Sequence, residues 1–231
     1  MSRFYVYAIL GEPPATPLGS GISAEPLTLL TSGDLVAAVG VMDEPPMATR
    51  EAVLGHDAVV RRLAESSTAI LPTRFGMVHE ASVLVDWLAT AADGLRDALR
   101  LVTGREQMTL HVFEVEGAVE GAAVEAPDDS DAGAATGPGA RYLTQRRRQR
   151  RDGTLPELAP LRSRLDGLIA AERIERRTTP PFRASVYHLV ERGRSAAYRD
   201  AVESNRDLVR GVRLRVSGPW APYAFAPEAV A

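Results

Sequence analysis

Four histidines, at positions 56, 79, 111 and 188, are the first side chains to test for chemistry. No two stand three to five residues apart and no His-Glu-x-x-His occurs, so their spacing does not build a helical zinc site. His79-Glu80 is an adjacent pair near a helix start and reads as a cap or a surface pair. His111 and His188 fall on predicted strands, where a solvent-facing or hydrogen-bonded imidazole is the ordinary case. No serine sits in a Gly-x-Ser-x-Gly elbow. No Gly-x-Gly-x-x-Gly follows a strand, and the glycine-rich stretch near residue 130 is acidic, which repels phosphate. The chain has no cysteine, which removes thiolate metal sites and disulfides. All 27 basic residues are arginine, so phosphate-loop and Schiff-base lysines are excluded. Nothing in the pattern marks a spaced carboxylate pair in an apolar pocket. These patterns offer no positive evidence for an active site, and no metal and no cofactor is expected.

The sharpest charge feature is Arg146–Arg151 (RRRQRR). It could be a nucleic-acid patch, a solvated helix face, or an internal partner for acidic segments. No aromatic residues interleave it, and the whole chain has a net charge of −3, so nucleic acid is not the expected partner. The run also lacks an apolar face with bulky anchors, which argues against a membrane surface. Charge is divided along the chain. Residues 1–116 carry 8 Arg against 15 acids, residues 117–140 carry 5 acids and no Arg, and residues 141–231 carry 19 Arg against 10 acids. Opposed halves of this kind attract one another or recruit charged partners.

The elements that must position these groups follow from periodicity. Arg3–Leu10 reads as a strand, and residues 11–21, dense in Pro and Gly, as a loop. Leu27–Thr31 and Leu35–Met42 read as strands around a Ser32-Gly33-Asp34 turn. Thr49 is placed to cap a helix reaching about Ser66, and Leu84, Trp87, Leu88, Ala91, Leu95 and Leu99 mark the apolar face of one helix over 80–102. Met108–Val115 alternates as a strand. These elements suit a ferredoxin-like α+β domain over 1–116, with two helices on one face of an antiparallel sheet. Residues 117–140 read as an acidic flexible linker or loop. Residues 141–231 read as a smaller α+β domain: an arginine-rich helix, a second helix from Leu158 to about Arg176, a strand over Phe182–Val190, a helix over Ser195–Val209 and a strand over Val212–Val216. No segment reaches the roughly 18 to 20 apolar residues of a membrane helix. Met1–Leu10 lacks the plan of a signal peptide, so a soluble cytoplasmic protein is expected.

Five stretches, taken in order, resemble the gas vesicle protein F/L family. They are Phe4–Ile9 (FYVYAI); His56-Asp57 followed by Ile70–Gly76 (ILPTRFG); Gly104-Arg105-Glu106; Gly139–Gln145 (GARYLTQ); and Gly218–Phe225 (GPWAPYAF). Asp57 stands where the family is expected to have Glu, and Ala221 where it usually has the first of two prolines. The resemblance implies His56, Pro72, Arg74, Phe75, Gly76, Tyr142, Leu143, Gly218, Pro219, Trp220, Pro222, Tyr223 and Phe225 as motif or interaction residues. It implies an accessory or minor structural protein of gas vesicles, the gas-filled protein shells that confer buoyancy. Its implied partners are the hydrophobic shell protein and other accessory proteins, with no small-molecule substrate, in the cytoplasm before assembly and at the vesicle after it. Read from the residues alone, Trp220, Tyr223 and Phe225 either pack under the C-terminal domain or contact a partner directly. Arg74 either bonds loop carbonyls or an acid, or binds a ligand. A small ligand-binding or regulatory enzyme domain is the alternative from another class.

Overall fold

The computed structural model describes residues 3–115, 155–176, 180–227 and 230. Residues 117–140, Tyr142, Leu143 and the Arg146–Arg151 run lie outside the described residues, as do the expectations placed on them.

The described chain is α+β, with two antiparallel sheets and five α-helices. β1 (Arg3–Leu10) carries aromatic and β-branched residues on both faces, and Tyr5 to Leu10 are all fully buried. A strand buried on both sides must be covered on both sides. β2 (Leu27–Ser32) and β3 (Leu35–Val41) form a hairpin around Gly33, whose φ of 62° the tight turn requires. α1 (Arg50–Glu65) starts at Thr49, whose hydroxyl accepts the Ala52 N–H at 3.2 Å. β4 (Ile70–Pro72) and β5 (Val78–Glu80) both pair with β1, one at each end of it. They act as one edge strand interrupted by the excursion 73–77. The sheet order is β2-β3-β1-β4.

α2 (Ala81–Thr90) and α3 (Ala92–Val102) set Leu84, Leu88, Leu95 and Leu99 against Ile9, Leu35, Ala37 and Val39. Val59, Val60 and Leu63 of α1 pack with Tyr7, Val36 and Ala38 on the opposite face. The sheet is therefore the middle of three layers, not a sheet with both helices on one side. Nor is 80–102 one helix. Ala91, at φ −90° and ψ 2°, closes α2 and opens α3. The break leaves the apolar spacing intact, so periodicity alone does not reveal it.

β6 (Arg105–Glu114) alternates as expected, with Met108, Leu110 and Val112 fully buried. It does not join the first sheet. Its hydrogen bonds go to β8 (Phe182–Glu191) on one side and β9 (Val212–Trp220) on the other. It is thus the inner strand of a second sheet of order β7-β8-β6-β9. The edge strand β7 (Ala171–Arg176) occupies residues expected to end a helix. Pairing with β8 overrides the helical preference of its Glu and Arg residues. The helix there is only α4 (Ala159–Leu165). With α5 (Ser195–Ser204) it places Leu161, Leu165, Tyr198 and Val202 over Met108, Leu110, Val112 and Val186.

In order of sequence, both sheets have their strands arranged second, third, first, fourth. In the second sheet this is the β-α-β-β-α-β plan. In the first, the loop 11–26 replaces the first crossover helix. The chain after β9 turns back: Phe225, Ala226 and Val230 are buried in the core beneath α2 and α3, together with Leu189 of β8. The aromatic end therefore does not pack under the second sheet's own helices.

Gly218 fixes that return. Its φ is 115°, and a Cβ there would stand 2.8 Å from the Gln107 carbonyl oxygen. Gly218→Ala is expected to lower stability by about 1 to 3 kcal/mol, read as a drop in thermal midpoint without a change of fold by circular dichroism.

Candidate functional site

Of the singled-out residues, His56, Phe75, Gly76 and Tyr223 converge where α1 crosses β1. His56, in the second turn of α1, is 3% exposed. Its Nε2 lies 3.1 Å from the Thr73 carbonyl oxygen and its Nδ1 2.8 Å from the Tyr5 hydroxyl. A carbonyl can only accept, so Nε2 carries the proton, and Nδ1 accepts from Tyr5. The Tyr5 oxygen in turn accepts the Gly76 N–H at 3.1 Å. Burial holds the imidazole below its usual pKa, and burial likewise pushes the Tyr5 phenol up to about 12. The neutral ring and the neutral phenol are the states this chain of bonds needs.

Aromatic contacts enclose the pair. Tyr7 stacks on His56 with centroids 5.5 Å apart, while Phe75 meets Tyr5 and His56 edge-on at 6.2 and 5.9 Å. The Tyr7 hydroxyl donates to Glu25 at 2.5 Å and accepts from the Ile22 N–H at 2.9 Å, which ties the loop 11–26 to the same cluster. Burial, reinforced by Glu25, pushes the Tyr7 phenol far up. Thr73 donates its N–H to the Tyr7 carbonyl and its hydroxyl to the Val6 carbonyl. Pro72 is buried in β4, and Gly76 takes a φ of 92°, which a side chain would strain.

The C-terminal segment closes over this unit. The Tyr223 hydroxyl donates to Asp57 at 3.3 Å, and burial raises its pKa. Asp57 also pairs with Arg61 at 2.7 Å. The Gln107 side-chain oxygen accepts the Ala224 N–H at 2.8 Å, Arg173 donates to the Ala224 carbonyl at 2.6 Å and lies over the Phe225 ring, and the Arg74 N–H reaches the Val230 carbonyl at 3.1 Å. Two clefts flank the segment. One, of about 340 Å³, is lined by Asp57, Arg61, Glu106, Arg192, Trp220 and Pro222. The other, of about 550 Å³, is lined by Pro72, Arg74, Gln107, Arg173, Tyr187 and Tyr223.

Residues 3–227 match the model of the gas vesicle synthesis protein GvpL/GvpF family. The chain belongs to the GvpL/GvpF family. It is 31% identical to gas vesicle protein L of Streptomyces sp. (strain CB03234), over 96% of this chain and 92% of that one. Its fold is similar to the crystal structure of GvpF from Anabaena sp. PCC7120, with a TM-score of 0.72 at 18% identity over 98% of this chain and 97% of that one. It is equally similar to GvpF from Microcystis aeruginosa, with a TM-score of 0.72 at 19% identity over 98% and 100% of the two chains. A gas vesicle-related role follows from the family.

The resemblance motifs of this GvpL/GvpF chain are thus largely one physical object. Tyr5 and Tyr7 come from the opening motif, His56 and Asp57 from the helix, Thr73, Phe75 and Gly76 from ILPTRFG, and Tyr223 from the ending. Gly218, Pro219 and Trp220 belong to β9, with Trp220 39% exposed and its ring N–H donating to the Ser217 hydroxyl at 3.3 Å. Arg74 is exposed, and among the described residues its guanidinium has no hydrogen-bond or ion-pair partner. It therefore does not hold the loop together, as one reading of the sequence had it.

A second network escaped sequence reading. Buried His188 lies between Glu172 at 2.9 Å and the Tyr198 hydroxyl at 2.6 Å. Burial pushes the Glu172 carboxyl up, but the His188 hydrogen bond and the Arg162 charge outweigh it and hold it below its usual value. Carboxylate, imidazole and hydroxyl follow the order of a hydrolytic relay, yet the Tyr198 ring is fully buried and presents nothing to a substrate. Glu172 and His188 are 16 residues apart, and only the pairing of β7 with β8 joins them. Among the described residues no group of three or more His, Cys, Asp or Glu could hold a metal ion. No described helix is long and apolar enough to cross a membrane.

The burial of His56 makes stability depend on pH. The folded chain resists protonation of this imidazole, while an unfolded histidine takes up a proton below about 6.5. The contribution is complete above that value and is lost as the pH falls through it towards the lower folded pKa. The thermal midpoint should fall between pH of about 7.5 and 5.5. His56→Gln should lower stability by about 1 to 3 kcal/mol at neutral pH by orphaning a buried partner, and should show a shallower acid decline than the parent. Parallel declines would remove His56 as the titrating group.

Proposed function

We propose that the protein is an accessory protein of gas vesicle assembly that works by surface contact with the shell protein and with other accessory proteins, and that it catalyses no reaction. In this reading it meets its partners in the cytoplasm and takes part in building the vesicle. The observation that carries the reading is how its buried histidines are used, in a chain matched to a gas vesicle family over residues 3–227. His56 and His188 each commit both ring nitrogens to bonds inside the fold. The polar groups best suited to proton transfer therefore act as struts. What remains at the surface is contact area: the clefts beside the C-terminal segment, and exposed apolar side chains such as Val41, Met47, Val83 and Trp220. A shell subunit that is apolar before assembly needs surfaces of this kind.

The test is a strain lacking this gene and any second GvpL/GvpF gene. It should grow normally and form absent or stunted vesicles by electron microscopy, with vesicles restored by the gene on a plasmid. Tagged protein from the rescued strain should co-purify with the shell protein. Normal vesicles in the deleted strain would exclude the assembly role.

A further inference from the structure

We propose that the cleft beside Arg74 is a binding site for the carboxylates of an acidic segment of a partner polypeptide, with the Arg74 guanidinium as its anchor. The inference rests on the assembly role above and names the chemistry of one contact within it.

β4 and β5 would form one continuous edge strand along β1 but for the excursion 73–77. Every described neighbour in that excursion is fastened. Thr73 is held through its N–H, hydroxyl and carbonyl, by Tyr7, Val6 and His56. Phe75 packs its ring on Tyr5 and His56. Gly76 donates to the Tyr5 hydroxyl at a φ of 92°, and the Met77 carbonyl accepts the Val6 N–H at 2.9 Å. Arg74 itself is held by its backbone N–H on the Val230 carbonyl. Its side chain alone is left over, exposed and without a partner among the described residues. A flexible loop presents a side chain at an entropic cost on binding. This one is presented from a fixed backbone, which lowers that cost.

The cleft it lines selects the ligand. At about 550 Å³ it is large enough for a short stretch of peptide side chains. Among the described residues its charged lining is Arg74, Arg173 and Glu175. Arg173 is fixed by its bond to the Ala224 carbonyl and its position over Phe225, and Glu175 accepts the Tyr187 hydroxyl at 2.7 Å. The balance is positive, and the free fork is a guanidinium, whose planar donors match a carboxylate in two parallel bonds. Tyr223 and Pro72 supply apolar walls for the rest of a polypeptide chain.

The experiment uses the full-length protein with ¹⁵N-labelled arginine, and N-acetyl-hexaglutamate amide as the probe, at low salt. The Arg74 Nε resonance should shift saturably with hexaglutamate and stay still with hexaglutamine. Arg74→Gln should weaken binding about tenfold, and Arg74→Lys should recover part of it. Both variants should melt at the parent temperature, because the side chain makes no bond to another described residue. Three results would overturn the proposal: no Arg74-dependent shift, inorganic phosphate binding as tightly as the peptide, or an Arg74→Gln thermal midpoint several degrees below the parent. In cells, normal vesicles from Arg74→Gln in a strain where deletion abolishes them would sink this site while leaving the assembly role standing. Normal vesicles in the deletion itself would instead remove the assembly role.

Discussion

The constraint on which the first sheet depends is the need to satisfy a buried imidazole. His56 sits in the layer between α1 and β1, where an unpaired ring nitrogen would cost about 1 to 3 kcal/mol. The fold answers with two partners far apart in sequence, the Tyr5 hydroxyl and the Thr73 carbonyl. Each answer fixes something else. Tyr5 can donate to Nδ1 and still accept from Gly76, which sets where the excursion 73–77 returns to the sheet. Thr73 keeps its N–H on the Tyr7 carbonyl of β1 and turns its carbonyl to α1, where the excursion begins. One helical side chain thus ties a helix, a ring on β1 and the residue at the break of an edge strand into one set of bonds.

The two sheets are joined by comparable economy. The first has α1 on one face and α2 with α3 on the other, and the core on the latter side still takes in Phe225, Ala226 and Val230 from the far end of the chain. Gln107 and Arg173 of the second sheet hold the Ala224 peptide by its N–H and its carbonyl. The segment after β9 is therefore bonded to one sheet through its backbone and buried in the core of the other through its side chains. Asp57 and Tyr223 add a third tether, directly to the His56 helix. Relative movement of the sheets would have to break polar bonds and expose Phe225 together, which makes this seam stiffer than a linker of the same length.

Local elements were legible in the sequence where local chemistry decides them. Thr49 caps α1, Gly33 turns the first hairpin, and Met108, Leu110 and Val112 mark the buried face of β6. Allegiance between elements was not. The alternation of β6 shows that it is a strand but contains nothing that chooses between β1 and β8 as its neighbour. Residues 171–176 have a composition suited to a helix and become a strand only because β8 needs an edge partner. Ala91 breaks a helix without disturbing its apolar register. The site was readable in part because its members carry order along the chain, from Tyr5 through His56 and Arg74 to Tyr223. Their joining was not readable, since the bonds cross separations of 51, 71 and 166 residues. The Glu172–His188–Tyr198 network had no sequence signal for the same reason.

Arg74 shows what such a network does for a residue that is not part of its bonding. A side chain on a mobile loop samples many positions, and most of its binding energy is lost in selecting one of them. Here the selection is made in advance by neighbours whose own bonds point inward: Thr73 to β1 and α1, Phe75 into the ring cluster, Gly76 to Tyr5. With Thr73 bonded to β1 and α1 and the Phe75 ring in the aromatic cluster, the Arg74 side chain between them is the one left exposed at the cleft. The same bonds that satisfy a buried histidine therefore aim an arginine at the surface. The core around His56 and the exposed cleft are consequently parts of one arrangement, and a substitution that loosens the first also blurs the second.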